Sequence, residues 1–196
     1  MDSIFYDWLN KEEWLDEEEA GKLSEKEISV VTSQGLLIDE LSVGALKSVK
    51  AELIWTEPST LSIEDSEYMN EDEGLECLVR EVWLCVDGEK MVYAKLLIPV
   101  SRVDEKLLMR LKKDEEPLGG MLRAMGADTE KEKFQYGHCK GLDVSKGLSG
   151  DGDEKFITRR YLLSSRKGNS ETSEWIIKAM VIEVFSREIA MPFPGK

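Results

Sequence analysis

The sequence predicts an α+β fold in which a single antiparallel sheet carries packed helices, and three observations predict it. Residues 79–100, "VREVWLCVDGEKMVYAKLLIPV", read as two apolar strands joined at Asp87-Gly88, a dipeptide suited to a tight hairpin turn. The C-terminal part is again sheet, with "FITRRYLLS" (156–164) and the long apolar run "WIIKAMVIEVF" (175–185) flanking a polar turn near "RKGNSETS". Between these pairs lies "SRVDEKLLMRLKKDEE" (101–116), where Val103, Leu107, Leu108 and Leu111 recur at helical spacing.

The remaining elements follow along the chain. Residues 4–30 read as one or two short acidic helices, with Phe5, Trp8, Leu9, Trp14 and Leu15 as apolar contacts. Residues 1–34 thus form an acidic helical extension that covers something. "GLLIDELSVGALKSV" (35–49) has helical spacing for part of its length, and "AELIWTE" (51–57) alternates like a strand. The acidic stretch 63–74 reads as solvated loop, and "PLGGMLRAMG" (117–126) opens with a proline suited to a first helical turn. Residues 127–155, mixed and rich in Gly and Asp, read as an irregular excursion. No linker divides the chain and no internal repeat occurs, so 196 residues with 41% hydrophobic content are expected to form one domain, 1–196.

Charge narrows the function classes. With 40 acidic against 26 basic residues and a formal charge of −14, the chain lacks the basic surface that nucleic acid or anionic membranes require. No apolar run reaches spanning length, and "MDSIFYDWLNKEEW" lacks the order of a signal peptide, which sets the expectation of a cytoplasmic protein. Cys77, Cys85 and Cys139 have no metal-ligand spacing and read as reduced thiols. His138 stands alone beside Cys139, and "GLSGDGDE" (147–154) lacks the full calcium-loop pattern. Neither metal nor cofactor is expected, and the chain is expected to be a monomer or small homo-oligomer.

Two charged residues break otherwise apolar strand faces. Arg80 shares a face with Val82, Leu84 and Val86, and Glu183 shares one with Ile177, Ala179, Val181 and Phe185. A buried guanidinium needs a carboxylate or another acceptor, and arginine is shaped to grip a planar carboxylate. Two readings stand side by side: a structural ion pair between Arg80 and Glu183, or an apolar ligand pocket whose few charged groups are functional.

In order and spacing, "VREVWLCVDGEKMVYAKLLIPVS", "LKKDEEPLGGML", "RRYLL" and "VIEVF" resemble the chorismate lyases (4-hydroxybenzoate synthases), over pieces running from about Gly35 to Phe185. The resemblance implies an antiparallel sheet of about six strands, with helical and loop lids over a buried pocket. It places Arg80 on the carboxylate of the aromatic product and Glu183 at the opposite, hydroxyl end. It gives the backbone amide of Leu118 to the carboxylate. The family's "GSMT"-like segment is replaced here by "DELSVGAL", whose equivalent contact falls at Val43. A dianionic substrate on a −14 protein calls for local cations, for which Arg160 and Lys95 are the candidates. Arg159 and Arg160 point to opposite faces of a regular strand, so only one can reach the pocket.

Two functions therefore remain. The first is a lyase that eliminates pyruvate from chorismate to leave a hydroxybenzoate, with Arg80 and Glu183 as its catalytic pair. The second is a non-catalytic sensor of aromatic acids, because the same fold resembles effector-binding domains of bacterial transcription regulators. Those follow a DNA-binding domain, whereas only an acidic segment precedes the match here, which favours the enzyme.

Overall fold

A computed structural model describes residues 7–18, 20–35, 37–42, 48–113, 115–148, 155–167, 173–187 and 189. Strands β1 (Val49–Thr60), β2 (Glu76–Val86), β3 (Glu89–Pro99), β4 (Glu130–Cys139), β5 (Phe156–Arg166) and β6 (Trp175–Phe185) form one antiparallel sheet in the order β1-β2-β3-β6-β5-β4. Two three-stranded meanders therefore lie side by side, joined through β3 and β6. The β2–β3 hairpin turns at Asp87 (φ 52°) and Gly88 (φ 92°), the two positive φ values that a type I′ turn needs. Asp87 Oδ1 also accepts from the Ser48 N–H at 3.1 Å, fastening the start of β1 to this turn.

Among the described residues the helices that accompany the sheet are α1 (Lys11–Leu15), α2 (Glu25–Thr32), α3 (Leu37–Ser42), α4 (Ile63–Met69), α5 (Glu105–Leu111), α6 (Leu118–Ala124) and α7 (Leu142–Gly147). The face bearing Val82, Leu96, Val181 and Tyr161 carries α1, α2, α3, α5 and α6, which bury Trp14, Val31, Leu37, Leu107, Leu111 and Met121 against it. The other face packs against α4 through Met69 and against α7 through Val144. The acidic N-terminal segment is helical because its acids cap. Asn10 with Glu13, and Ser24 with Glu27, close capping boxes that satisfy first-turn N–H groups from both directions.

Three expectations are corrected. The stretch 63–74 is not all loop, because Ser62 caps α4, Asn70 ends it in the left-handed region (φ 51°), and Met69 anchors it in the core. The helix expected over 101–116 is confined to α5: Asp104 Oδ1 accepts the Lys106 and Leu107 N–H groups at 3.0 and 3.3 Å and so starts the helix late. Val103 bridges to Ile177 instead. The segment 127–155 is not an irregular excursion, since it contains β4 and α7. Its "EKEKF" start is polar because β4 is an edge strand, where charges discourage further pairing. A register break between Glu132 and Gln135, with Lys133 at φ 54°, also destroys its alternation.

The outer side of β4 receives residues near the N-terminus, where Leu9 and Tyr136 exchange backbone hydrogen bonds of 2.8 and 2.9 Å. A side chain at Gly137 would stand 2.2 Å from the Asp7 carbonyl oxygen, so only glycine admits this approach. Elsewhere, Glu71 joins the turn after α4 to β6 and to the residues that follow β3. It accepts from Arg102 at 3.0–3.2 Å and from Lys178 at 2.5 Å. Burial alone would raise the Glu71 carboxyl, but the bonds from Arg102 and Lys178 bring it below its ordinary value of 4.5. A carboxyl depressed by folding stabilises the protein above its unfolded value, and that contribution disappears as pH falls through the lower folded value. Chemical denaturation between about pH 6 and 3 should show Glu71→Gln less stable than the native protein near neutrality, with the difference shrinking towards acid.

Candidate active site

Antiparallel pairing aligns the residues of the helix-covered face into rows. One row runs Arg80, Leu96, Val181, Tyr161, and the next runs Val82, Ala94, Glu183, Arg159. Arg80 and Glu183 therefore stand in adjacent rows, two strands apart, with the short side chain of Ala94 between β2 and β6. A cavity of about 60 Å³ opens over this floor, lined by Arg80, Ala94, Leu96, Val181, Tyr161 and Glu183. Leu37 and Ile38 of α3, Pro117, Leu118, Gly119 and Leu122 of the α6 region, and Lys131 of β4 complete the wall. Asp39 of α3 and Arg123 of α6 form an ion pair across the outside of this cover.

Arg80, fully buried, donates from Nη2 to the Glu116 carbonyl at 3.2 Å. That bond places it beside Pro117 and Leu118, where α6 begins and where first-turn N–H groups have no acceptor within the helix. Glu183 is only 4% exposed. Arg159 Nε donates to its Oε2 at 2.6 Å and the Tyr161 hydroxyl donates to its Oε1 at 3.0 Å. Among the described residues the ion-pair partner of Glu183 is thus Arg159, and no ion pair joins it to Arg80. Arg159 Nη1 donates to the carbonyls of Val31 at 2.7 Å and Ser33 at 2.8 Å, at the end of α2, where orphan carbonyls favour a cation. Burial alone would lower the pKa of Arg159, but Glu183 beside it leaves it raised. Burial first, and then the Glu183 charge, push the Tyr161 hydroxyl well above its ordinary 10.0, so it stays a donor.

The structure brings together Arg80, Leu118 and Glu183. Val43 lies outside the described residues. Arg160 is not in the cavity: it faces the opposite side of the sheet between the rings of Trp8 and Tyr68, 4.5 and 4.2 Å from their centroids, and donates to Gln135 at 2.7 Å. Lys95 shares that opposite face and lies 3.7 Å from Glu81. Among the described residues the cations that line the cavity are Arg80 and Lys131, and Arg159 stands beside Glu183 on the same face of the sheet without lining it. Arg159 has the same parity as Tyr161 and Leu163, which line the cavity, but Phe156 and Leu162 are buried at the parity of Arg160, so the apolar pattern of β5 gives no signal that chooses between the two arginines. Lys131 gives no signal either, because the break in β4 hides its alternation.

The cysteines are buried and free. Burial pushes Cys139 up to about 12 and Cys85 to about 11, values of thiols rather than nucleophilic thiolates. His138 lines a second cavity of about 500 Å³ with Lys155 and Phe185. Among the described residues no group of three or more His, Cys, Asp or Glu is placed to hold a metal ion.

Solved structures share this fold. The crystal structure of PhnF from Mycobacterium smegmatis matches with a TM-score of 0.60 at 14% identity, over 80% of this chain and 66% of that one. Its separately solved effector domain gives 0.58 at 14% identity, over 80% and 91%. A GntR-family transcriptional regulator from Bacillus cereus gives 0.51 at 8% identity, over 71% and 92%. This chain therefore spans slightly less than two thirds of the whole PhnF chain, 66%, and the likeness is one of fold. No curated protein matches the sequence. The fold of this α+β sheet is thus one that the chain shares with these regulator structures. Residues 31–191 match the model of the Rv2949c-like chorismate pyruvate-lyases, and the chain belongs to that family.

The coupling within the buried cluster is measurable. Arg159→Met strands the Glu183 carboxylate and should destabilise the fold by about 3–5 kcal/mol, whereas adding Glu183→Gln should recover much of that loss. Urea denaturation of the two single variants and the double variant checks this, and additive losses would contradict it.

Proposed function

We propose that the protein is a lyase that eliminates pyruvate from chorismate to give 4-hydroxybenzoate. The observation that carries this reading is the placement of Arg80 and Glu183 on two sides of one covered apolar cavity, with the start of α6 beside the arginine. In the reaction the C3–O bond of the cyclohexadiene breaks and the C4 hydrogen leaves as a proton. Its bonding electrons complete the aromatic ring, and the departing enolpyruvate takes a proton at its methylene carbon to become pyruvate. Aromatisation drives the step, so the protein's task is to position a dianion, stabilise charge on the leaving oxygen and exclude water.

Arg80 and the Leu118 amide would hold the ring carboxylate, and Val43 would add a backbone contact. Glu183, fixed by Arg159 and Tyr161, would orient the C4 hydroxyl and receive or relay the proton. The enclosed space of about 60 Å³ is far below the several hundred Å³ of an occupied ligand site. Binding would therefore require α3 and α6 to move apart as lids, with their Asp39–Arg123 pair opening. The chain would act as a single cytoplasmic domain; no helix among the described residues is long and apolar enough to cross a membrane. The likeness to the PhnF effector domain supports a second reading, a binding protein for aromatic acids that performs no chemistry in the same cavity.

Incubation with chorismate separates the two. Equal amounts of pyruvate and 4-hydroxybenzoate are expected, and thermal stabilisation by 4-hydroxybenzoate without either product would favour the binding protein. Arg80→Met should weaken 4-hydroxybenzoate binding by about 10- to 150-fold, the loss of one charged hydrogen bond or a bidentate pair. Glu183→Gln should reduce turnover more than affinity. Unchanged pyruvate release in both variants would remove the assignment of these residues.

A further inference from the structure

We infer that the Glu183 end of the cavity selects a hydrogen-bond donor rather than a hydroxyl as such, so that the protein also takes the 4-amino analogue of chorismate and releases pyruvate and 4-aminobenzoate from it. The inference rests on the lyase reading for the ring that lies between Arg80 and Glu183, and its own evidence is the hydrogen bonding at one end of the wall. Among the described residues that line the cavity, the side chains with polar atoms are Arg80, Lys131, Tyr161 and Glu183. Arg80 turns to the Glu116 carbonyl before α6. Lys131 places its Nζ over the Tyr161 ring, 4.7 Å from the centroid, and donates to the Gly35 carbonyl at 2.5 Å. The polar atoms at the β5–β6 end are therefore the Glu183 carboxylate and the Tyr161 hydroxyl, side by side at 3.0 Å.

Both of these groups present acceptors. Glu183 accepts on each oxygen, from Arg159 Nε at 2.6 Å on Oε2 and from the Tyr161 hydroxyl at 3.0 Å on Oε1. A carboxyl group that accepts on both oxygens has no proton to give, and a carboxylate has about two lone-pair sites per oxygen, so each can take one bond more. The Tyr161 hydroxyl has spent its single hydrogen on Oε1 and keeps only lone pairs. Burial pins this arrangement, since both residues are 4% exposed and the Tyr161 ring is stacked on Phe134 at 5.0 Å. A ligand group placed here must donate, because an ether, a halogen or a carboxylate would set lone pairs against lone pairs in a buried site. A hydroxyl meets that demand with one O–H. An amine meets it in either protonation state and occupies nearly the same volume, so neither the floor nor the cover separates the two. On the amino analogue the bond changes are those of chorismate. The C3–O bond breaks and its electrons leave with the enolpyruvate, which takes a proton at its methylene carbon. The C4 hydrogen leaves as a proton and its bonding electrons complete the ring. The amine stays on C4 throughout, so the second product is 4-aminobenzoate.

The test compares 4-hydroxybenzoate, 4-aminobenzoate, 4-fluorobenzoate and 4-methoxybenzoate by calorimetry on the wild type. 4-Aminobenzoate should bind within about fivefold of 4-hydroxybenzoate, and the two ligands without a donor should bind about 10- to 150-fold more weakly. In Glu183→Gln the amide oxygen must stay on Arg159 Nε, because the amide nitrogen cannot accept, so an NH2 group takes the place of Oε1. The preference for a donor should then fall to within about threefold. Incubation of the wild type with the 4-amino analogue of chorismate should release pyruvate and 4-aminobenzoate in equal amounts. Binding of 4-fluorobenzoate as tight as that of 4-hydroxybenzoate, 4-aminobenzoate as weak as the donor-free ligands, or a donor preference retained in Glu183→Gln would overturn the inference. So would release of pyruvate from chorismate with none from the amino analogue. The wild-type comparison decides even where Glu183→Gln does not fold. Because calorimetry needs no turnover, a donor preference in a protein that releases pyruvate from neither compound would refute the lyase, and the elimination with it, while sustaining the acceptor end as a site for donor-bearing aromatic acids.

Discussion

The buried pair of Arg159 and Glu183 is the constraint from which the rest of the site follows. Removing two ions from water costs several kcal/mol each, and their attraction offsets this only when the remaining hydrogen-bonding groups are also met. Here the guanidinium meets the carboxylate through Nε and the carbonyls ending α2 through Nη1, and the Tyr161 hydroxyl takes the second carboxylate oxygen, whereas Nη2 is buried with no hydrogen-bond partner among the described residues, so the pair is only partly compensated. The rings of Tyr161 and Phe185 lie 5.4 and 5.2 Å from the guanidinium carbon and hold it in place without solvent. A leucine pair of similar volume would fill the space at lower electrostatic cost. It would not leave a carboxylate aimed into a cavity, which is what the arrangement achieves.

The sheet order divides the work. The first meander supplies Arg80, the second supplies Glu183, Tyr161 and Lys131, and the β3–β6 seam brings them together through the pairs Leu96–Val181 and Ala94–Glu183. Neither half holds a site alone. The connection between the meanders contains α5 and α6, so the helix whose first residues adjoin Arg80 is part of the link between the halves. The crossover thus supplies the α6 part of the cover, while the α3 part comes from the segment before β1.

Much of this was legible in the residues. The Asp87-Gly88 turn and the alternation of β2 and β3 fix which side chains share a face, and Arg80 and Glu183 stand out because each interrupts a run of aliphatics. What escaped has physical causes. The partner of Glu183 could not be read, because pairing depends on which strands become neighbours, and β5, not β2, lies next to β6. β4 escaped because an edge strand needs few apolar residues and because its register break removes the period of two. The short helix α4 escaped because its caps are the polar Ser62 and Asn70 and its acids lie towards solvent, so that its composition resembles a loop even though Met69 is fully buried.

The reach of Arg159 into the end of α2 bears on where the functional unit begins. Similarity to the family starts at residue 31, inside α2. The helix that presents Val31 and Ser33 is nucleated earlier, by the capping box of Ser24 and Glu27. The border drawn by sequence likeness therefore cuts through an element whose carbonyls hold the central guanidinium. Boundaries inferred from homology and boundaries inferred from hydrogen bonding do not coincide in this protein, and the second kind includes a segment that the first treats as an appendage.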